Sequence, residues 1–282
     1  MSLLAIPFPG LDPVAFSIGP VAVKWYGLAY MAGLLLGWLY IRRLLATPRI
    51  WPQDKPPFGV ERVDDLLLYM TLGVIVGGRL GFVLFYEPGY YLTHPLEIPA
   101  VWKGGMAFHG ALLGCGAAIW LYARHARVSP FSTMDLCAAA VPLGLLFGRL
   151  ANFINGELWG RPTSVPWAMV FPEAKLYFPN SEPQPRHPSQ LYEAALEGLA
   201  LFLVLRVMTH RLGALERPGL VTGSFLVGYG IFRSFVELLY RQPDPLHPLT
   251  NFGLTPGTVY SIPMIAGGLW LVARARRRPV AA

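Results

Sequence analysis

Apolar residues dominate seven stretches of the chain, and short polar segments separate them. Each stretch is about long enough to cross the hydrocarbon of a bilayer as a helix, at roughly 1.5 Å per residue. The pattern therefore predicts an all-α polytopic membrane protein with seven transmembrane helices, forming a single integral membrane domain over residues 1–282. The predicted spans are Val21–Leu45, Val63–Tyr86, Gly104–Ala123, Phe131–Leu150, Gln190–Met208, Gly219–Tyr240 and Gly257–Ala273.

The composition agrees with this pattern. Of the 282 residues, 54% are hydrophobic and only 14% are charged, which is typical of a membrane protein and unlike a soluble domain. The net charge of +7 raises the alternative of a nucleic-acid partner. Because the basic residues lie in the short segments between apolar runs, membrane orientation explains them better, and we expect no nucleic-acid binding.

Basic residues are unevenly distributed between the two sets of loops. Because cytoplasmic loops carry the excess of Lys and Arg, the N-terminus is predicted outside and the C-terminus inside a bacterial cytoplasmic membrane. The predicted inner side has Arg42, Arg43, Arg49, Lys55, Arg62, Arg124, Arg127, Arg206, Arg211, Arg217, Arg274, Arg276, Arg277 and Arg278, and the opposite loops have Lys103, Arg161, Lys175, Arg186 and Arg241.

Two outer segments are rich in aromatic residues. Neither 87–103 nor 151–188 is apolar enough to span a bilayer, and each has tryptophan and tyrosine, which favour the headgroup layer. We predict that the two segments are arms on the outer membrane surface, the second forming a larger head segment. Ordinary ordered loops are the alternative interpretation.

Several polar side chains are predicted at one depth. With the orientation above, they all lie towards the outer ends of their spans, which suggests one cavity in the outer leaflet, rimmed by positive charge. An arginine at the end of a helix can also reach the interface by extending its side chain, and this alternative applies to Arg149. The set comprises Lys24, Tyr26, Arg79, His109, Arg149 and Arg233.

The sixth span carries a charged face. Tyr229, Arg233 and Glu237 are spaced four residues apart, so they share one side of the helix, and Glu237 can hold the guanidinium of Arg233. A buried ion pair that only fixes packing is one interpretation. The other is an arginine oriented towards an anionic ligand, and because guanidinium groups suit phosphate, an anionic phospholipid is the predicted ligand.

Motifs for other chemistries are missing from the sequence. It has no His-Glu-x-x-His, its histidines show no ligand spacing, and no Gly-x-Ser-x-Gly is present, so neither a metal site nor a serine hydrolase is expected. Cys115 and Cys137 lie within apolar runs and are predicted to be free. His109 is either a core histidine or, given its depth beside the arginines, a functional residue.

The sequence resembles the prolipoprotein diacylglyceryl transferases. The similarity extends over nearly the whole chain, from Trp25 to Glu237. The most specific motif is the stretch from Gly148 to Arg161, GRLANFINGELWGR. The shorter matches are Trp25–Leu28 (WYGL), Gly77–Gly81 (GGRLG), Gly104–Gly110 (GGMAFHG), His187–Glu193 (HPSQLYE) and Tyr229–Glu237 (YGIFRSFVE).

This resemblance implies a reaction and a set of site residues. The enzyme would transfer the diacylglyceryl group of phosphatidylglycerol to the lipobox cysteine of a prolipoprotein signal peptide, form a thioether and release glycerol phosphate. By this resemblance Arg149 corresponds to the arginine that binds phosphatidylglycerol. The other residues that the family needs correspond to Tyr26, His109, Asn152, Glu157, Gly160, Tyr229, Arg233 and Glu237.

The residues themselves suggest roles in this chemistry. Arg149 and Arg233 can stabilise the charge that develops on a leaving phosphate. The attacking sulfur must be a thiolate, and either His109 removes its proton or the field of the arginines lowers its pKa. Gly156 and Gly160 are expected to permit tight turns. No cofactor is expected.

Two other classes of protein remain as alternatives. An anionic-lipid transporter would use the same cavity, but it also needs polar residues along a path to the cytoplasm, and few are present. An intramembrane protease needs a catalytic pair such as two aspartates, and Asp135 lies alone within the fourth span.

Overall fold

The computed structural model describes residues 6–172, 174, 184–243 and 254–277, and most of this part of the chain is helical. Each of the seven apolar stretches contains a helix. A short additional helix, α3, lies in the segment 87–103. The helices are α1 (Trp25–Leu45), α2 (Val63–Phe85), α3 (Pro88–Thr93), α4 (Phe108–Ala126), α5 (Pro130–Ile154), α6 (residues 189–211), α7 (Leu220–Leu239) and α8 (Pro256–Arg277).

Among the described residues, four helices are long and apolar enough to cross a membrane by length and composition. They are Trp25–Leu45, Val60–Phe85, Pro130–Ile154 and Pro256–Arg277. Of the remaining long helices, α4 is rich in glycine and alanine, and buried charged residues interrupt α6 and α7. The described chain is thus a mostly helical membrane protein with four candidate spans.

The start of the first predicted span is wrong. Residues Val21–Lys24 form a strand, β3, which pairs antiparallel with β2 (Val14–Ile18), and α1 begins only at Trp25. The apolar side chains of β3 continue the hydropathy of α1 without a break, so hydropathy alone merges the two. The turn residues Gly19 and Pro20 mark the hairpin in the sequence.

A second pair of strands also departs from the all-α prediction. Strand β1 (Ile6–Pro7) pairs parallel with β4 (Met169–Val170), which lies in the predicted outer head segment. Beside this pair, the ring of Phe8 contacts the rings of Phe153 and Phe171 at centroid distances of 5.5 Å and 5.1 Å. The N-terminal segment is thereby packed against the head segment and the end of α5.

Helix α5 is longer than predicted. It begins after Ser129, whose Oγ accepts a hydrogen bond from the amide of Ser132 at 3.4 Å, and it continues to Ile154, four residues beyond Leu150. Asn152 lies within the helix, and its side-chain amide donates to a carboxylate oxygen of Glu157 at 2.7 Å. The predicted outer segment 151–188 therefore begins with one turn of helix.

Glycines bring α2 and α4 into close contact. A Cβ atom at Gly77 would collide with the backbone of Gly110 and Gly114, and one at Gly73 would collide with Gly114. The amide of Ala107 also donates to the carbonyl of Gly78 at 2.9 Å. Small residues at this spacing let helix backbones approach closely, so the start of α4 is fixed against α2.

Asp135 of α5 fixes the start of α7. Its fully buried carboxylate accepts hydrogen bonds from the amides of Gly219 and Thr222, both at 2.7 Å, and from the hydroxyl of Thr222 at 2.6 Å. These contacts satisfy amide groups that a helix N-terminus leaves unpaired. Asp135 thus sets the position of α7 relative to α5, and these two helices carry Arg149 and Arg233, which are described below.

Candidate functional site

A cavity of about 590 Å³ lies between α1, α2 and α5. Most of its wall is apolar, with side chains such as Leu34, Leu66 and Val141, whereas the end formed by the start of α1 and the end of α5 is polar. The polar residues at this end are Tyr26, Arg149, Asn152 and Tyr229. A long apolar chamber with polar groups at one end suits an amphiphile with apolar chains and a charged headgroup.

Arg149 is held from behind by two glutamates of α6. Its Nε lies 3.0 Å from Oε2 of Glu193, and its Nη2 lies 3.2 Å from Oε2 of Glu197. Both glutamate side chains are fully buried, whereas that of Arg149 is 16% exposed and lines the cavity. These contacts occupy the Nε–Nη2 edge of the guanidinium, which leaves its Nη1 donors for the cavity.

Arg233 lies behind Arg149 and does not belong to the cavity wall. Its Nη1 is 2.9 Å from Oε1 of Glu193, and its Nη2 is 2.7 Å from Oε2 of Glu237, so the ion pair expected from their four-residue spacing is present. Arg241, just beyond α7, adds a third guanidinium, with Nη1 2.8 Å from Oε1 of Glu193. Glu193 therefore links three arginines.

The charges of this cluster balance, which corrects the prediction of a positively charged rim. Three guanidinium groups face three carboxylates within one buried network. Burial of an unpaired charge is costly, and in this cluster the compensating charges are carboxylates. The network comprises Arg149, Arg233, Arg241, Glu193, Glu197 and Glu237, and we call it the arginine–glutamate network.

The two carboxylates of α6 were not among the predicted site residues. Glu193 and Glu197 are visible in the sequence as charged residues inside an apolar helix, and an intramembrane charge by default suggests a partner or a function. Helix α6 consists of Ser189–Glu193, a π-helical segment Ala194–Ala200 and Leu201–Arg211. Such π-helical segments occur frequently at functional sites.

A tight loop follows α5 at the polar end of the cavity. Gly156 has φ +67°, which favours glycine as expected, and Leu158 on the cavity wall has φ +59°, which is unusual for a residue with a side chain. Residues of α6 hold this loop. The side-chain amide of Gln190 donates to the backbone carbonyl of Glu157 at 2.6 Å, and the hydroxyl of Ser189 donates to the backbone carbonyl of Leu158 at 3.0 Å.

Gly160 is needed for space and not for a left-handed turn. A Cβ at this position would lie 2.5 Å from the carbonyl oxygen of Tyr240 and 2.7 Å from the Cβ of His187. The amide of Gly160 also donates to the carbonyl of His187 at 2.8 Å. Gly160 therefore joins the loop after α5 to the segments before α6 and after α7, and it lies behind the cavity wall.

Two tyrosines contribute to the polar end. Tyr26 in the first turn of α1 places its hydroxyl 3.1 Å from that of Tyr30, and its phenol interacts with Asn152. Tyr229 shares the face of α7 with Arg233 and stacks on Phe225 at a centroid distance of 5.9 Å. Both tyrosines line the same cavity as Arg149.

His109 occupies the first turn of α4 and is exposed. Its ring contacts the ring of Tyr260 in α8 at a centroid distance of 4.9 Å, and it adjoins Phe108, which lines the cavity. The imidazole itself is not part of the cavity wall. Catalytic hydrogen bonds often form only when substrate is bound, so this geometry leaves His109 as a candidate base at the margin of the cavity.

Two further predicted members, Arg79 and Lys24, also lie outside the cavity wall. Arg79 is 3% exposed, and it donates to the backbone carbonyls of Ile98, Gly104 and Glu97 at 2.6 Å, 2.6 Å and 2.8 Å. Its donors are therefore used to fix the segment 87–103. Lys24 ends β3 and is exposed. The prediction that one cavity gathers all six polar groups is wrong, because a shared depth does not require a shared location.

The described residues contain no group of three or more histidine, cysteine, aspartate or glutamate side chains arranged to hold a metal ion. Both cysteines are free, Cys137 buried and Cys115 partly buried. His247 and the aromatic residues Tyr177 and Phe178 of the predicted head segment lie outside the described residues.

Comparison with known proteins indicates the family to which the chain is similar. The profile of the family described as prolipoprotein diacylglyceryl transferase matches residues 13–274. The chain is similar to proteins named phosphatidylglycerol–prolipoprotein diacylglyceryl transferase from several bacteria. It is 50% identical to that of Rhizobium meliloti over 99% of this chain and 98% of the relative. It is 53% identical to that of Methylocella silvestris over 97% of each.

Proposed function

Because the chain belongs to the prolipoprotein diacylglyceryl transferase family, we propose that it transfers the diacylglyceryl group of phosphatidylglycerol to the lipobox cysteine of prolipoproteins. The product is a peptide with a thioether-linked diacylglycerol, and glycerol phosphate is released. This reaction is the first step of bacterial lipoprotein maturation.

The observation that carries the proposal is the position of Arg149. Its guanidinium lines the polar end of an otherwise apolar cavity, and its contacts with Glu193 and Glu197 through Nε and Nη2 leave the Nη1 donors for a ligand. A phospholipid with its acyl chains along the apolar wall and its phosphate at Arg149 satisfies both regions. Tyr26, Asn152 and Tyr229 then surround the headgroup, with Glu157 holding the amide of Asn152.

The proposed reaction is a displacement at carbon. The cysteine sulfur attacks the glycerol carbon that bears the phosphate, the C–S bond forms, and the C–O bond breaks. The electron pair of that bond leaves with the glycerol phosphate, and Arg149 stabilises the negative charge that develops on the phosphate oxygen. Arg233 acts through Glu193 on the position of Arg149, and Glu237 in turn holds Arg233.

The thiol proton has to be removed before or during the attack, because the thiolate is the nucleophile. We assign this task to His109, at the margin of the cavity beside Phe108. In this assignment the acceptor peptide approaches from the side of α4 and α8, where the rings of His109 and Tyr260 are exposed.

The site faces the outer leaflet of the cytoplasmic membrane in this proposal. The uneven distribution of basic loop residues supports seven spans, with the N-terminus outside and the C-terminus in the cytoplasm. The segments 87–103 and 151–188 are then arms on the outer surface. The guanidinium of Arg79 anchors the first arm by donating hydrogen bonds to backbone carbonyls of that segment.

Labelling of single introduced cysteines tests the orientation. Thr163→Cys in the head segment is expected to react with a membrane-impermeant thiol reagent added from outside, whereas Lys55→Cys in the loop after α1 is expected to react only after lysis. The parent chain, whose Cys115 and Cys137 lie within helices α4 and α5, is the control. Labelling of Lys55→Cys in intact cells would contradict the proposed topology.

A direct assay tests the reaction. Purified protein, phosphatidylglycerol and a lipobox peptide are expected to give a peptide heavier by one diacylglyceryl group, read by mass spectrometry. The matched control is the same peptide with its lipobox cysteine replaced by serine, which should not react because a hydroxyl is far harder to ionise. Transport of the lipid across vesicles without any adduct would instead support the anionic-lipid transporter.

A further inference from the structure

Glu193 and Glu197 are the carboxylates that contact Arg149, and their negative charge opposes the binding of a phosphate there. Both of their carboxylates contact Arg149, and Glu193 also contacts Arg233 and Arg241. Positive and negative charges in the arginine–glutamate network are equal in number. A phosphate at Arg149 therefore meets a guanidinium whose charge is already compensated from behind.

The product of the proposed reaction is more highly charged than the lipid. The phosphodiester of phosphatidylglycerol carries one negative charge, whereas the phosphomonoester of glycerol phosphate carries about −1.5 to −2 near neutral pH. Three uncompensated arginines in a site of low dielectric would retain this product more strongly than the substrate. Turnover requires that the product leaves.

We propose that Glu193 and Glu197 are positioning residues with two roles. They hold the Nε–Nη2 edge of Arg149 so that its Nη1 side faces the lipid. Their negative charge also limits the affinity of the site for glycerol phosphate. The inference deepens the proposed function and rests on it. It assigns to α6, which contributes no side chain to the cavity wall, control of phosphate binding and release.

The local structure of α6 agrees with this role. Glu193 precedes the π-helical segment and Glu197 lies within it, and both side chains are fully buried against α5 and α7. The groups that face the pair are Arg149 of α5, Tyr229 and Arg233 of α7, and Arg241 beyond α7. Glu237 contacts Arg233 and Arg241.

The first test replaces Glu197 by glutamine, which keeps the shape of the side chain but removes its charge. Arg149 retains Glu193 in this variant. We expect the inhibition constant of glycerol phosphate to fall about tenfold and kcat to fall, while KM for phosphatidylglycerol falls or stays the same. A residue with only a structural role would weaken the binding of lipid, product and peptide together.

The second test changes the charge in the opposite direction. Arg241→Gln removes a guanidinium that contacts Glu193 but does not line the cavity. Glu193 is then shared by two arginines, and we expect the inhibition constant of glycerol phosphate to rise. The matched control for Glu197→Gln is Glu216→Gln, which removes the same negative charge in the loop between α6 and α7 and is expected to leave all constants unchanged.

Calorimetric titration of glycerol phosphate into the purified wild type and variants measures product affinity without turnover. The inference can therefore fail separately from the proposed function. A missing peptide adduct in the wild type would overturn the function. Unchanged or weaker product binding in Glu197→Gln would overturn the inference. If that variant does not fold, Arg241→Gln decides, and tighter product binding there would overturn it.

Discussion

Arg79 and Arg149 have the same immediate neighbours in sequence, Gly-Arg-Leu, and both are largely buried in helices, yet the structure uses them differently. Arg79 donates to backbone carbonyls and lies over the ring of Tyr91 at 5.0 Å, so its guanidinium is surrounded by acceptors that are part of the fold. Arg149 contacts carboxylates along one edge and a cavity along the other.

The acceptors of a buried arginine therefore indicate its role. Carbonyl groups of the backbone cannot be exchanged for a ligand without disrupting the loop that supplies them. Side-chain carboxylates compensate the charge of Arg149 but leave donors for another anion. The two arginines therefore define two regions, an anchored arm at Arg79 and a ligand site at Arg149.

The largest expected effect belongs to Arg149. Arg149→Ala removes the phosphate contact and leaves Glu193 and Glu197 to repel the lipid, so we expect kcat/KM to fall by at least about 10²–10³-fold. Arg149→Lys should recover little of this, because an ammonium lacks the planar fork of the guanidinium. The peptide–lipid assay measures both variants, and full activity in the alanine variant would place phosphate recognition elsewhere.

A smaller loss is expected when His109 is replaced. His109→Ala should slow transfer about 10²-fold at neutral pH, because general base catalysis typically contributes at least that much. Raising the pH should recover part of the rate, since the thiol then ionises without assistance. His109 follows the loop anchored by Arg79, so a loss of this size would show that the anchored region also contributes to catalysis. A rate that does not depend on this substitution would remove His109 from the mechanism.

The next largest loss is expected when the ion pair between Arg233 and Glu237 in α7 is changed. Glu237→Gln should reduce kcat/KM by about tenfold, less than Arg233→Ala, because Arg233 keeps its contact with Glu193 when Glu237 is neutral. The paired measurement distinguishes support of the arginine from acid–base chemistry. A larger loss in Glu237→Gln than in Arg233→Ala would mean that Glu237 itself transfers a proton.

Much of the helical architecture follows from hydropathy. Long apolar runs predict the ends of the helices to within four residues, but strand β3 was predicted as the start of α1. Hydropathy averages over a window, so it cannot separate an apolar strand from the helix that follows it. The turn residues Gly19 and Pro20 were the available signal for that boundary.

The site was only partly predictable. The spacing of Arg233 and Glu237 along one helix specified their contact, since residues four apart are neighbours. The contacts of Arg149 with Glu193 and Glu197 join different helices, and their pairing depends on how α5 and α6 pack. For the same reason the sequence could not separate Arg79 from Arg149, because the carbonyl groups that Arg79 contacts belong to a loop about twenty residues away.

The smallest effect on phosphate recognition is expected at Arg79, and it provides the sharpest test of the comparison. Arg79→Ala leaves at least three backbone carbonyls without their donor, and each buried unpaired group costs about 1–3 kcal/mol, so the melting temperature and the yield of folded protein should fall. Displacement of the loop before His109 should lower kcat by a few-fold. KM for phosphatidylglycerol should stay unchanged, because Arg79 has no place in the cavity wall. Thermal unfolding and steady-state kinetics on the same preparation separate the two quantities. A stable Arg79→Ala protein with a raised KM for the lipid would mean that Arg79, like Arg149, binds the headgroup, and the distinction drawn from their acceptors would then fail.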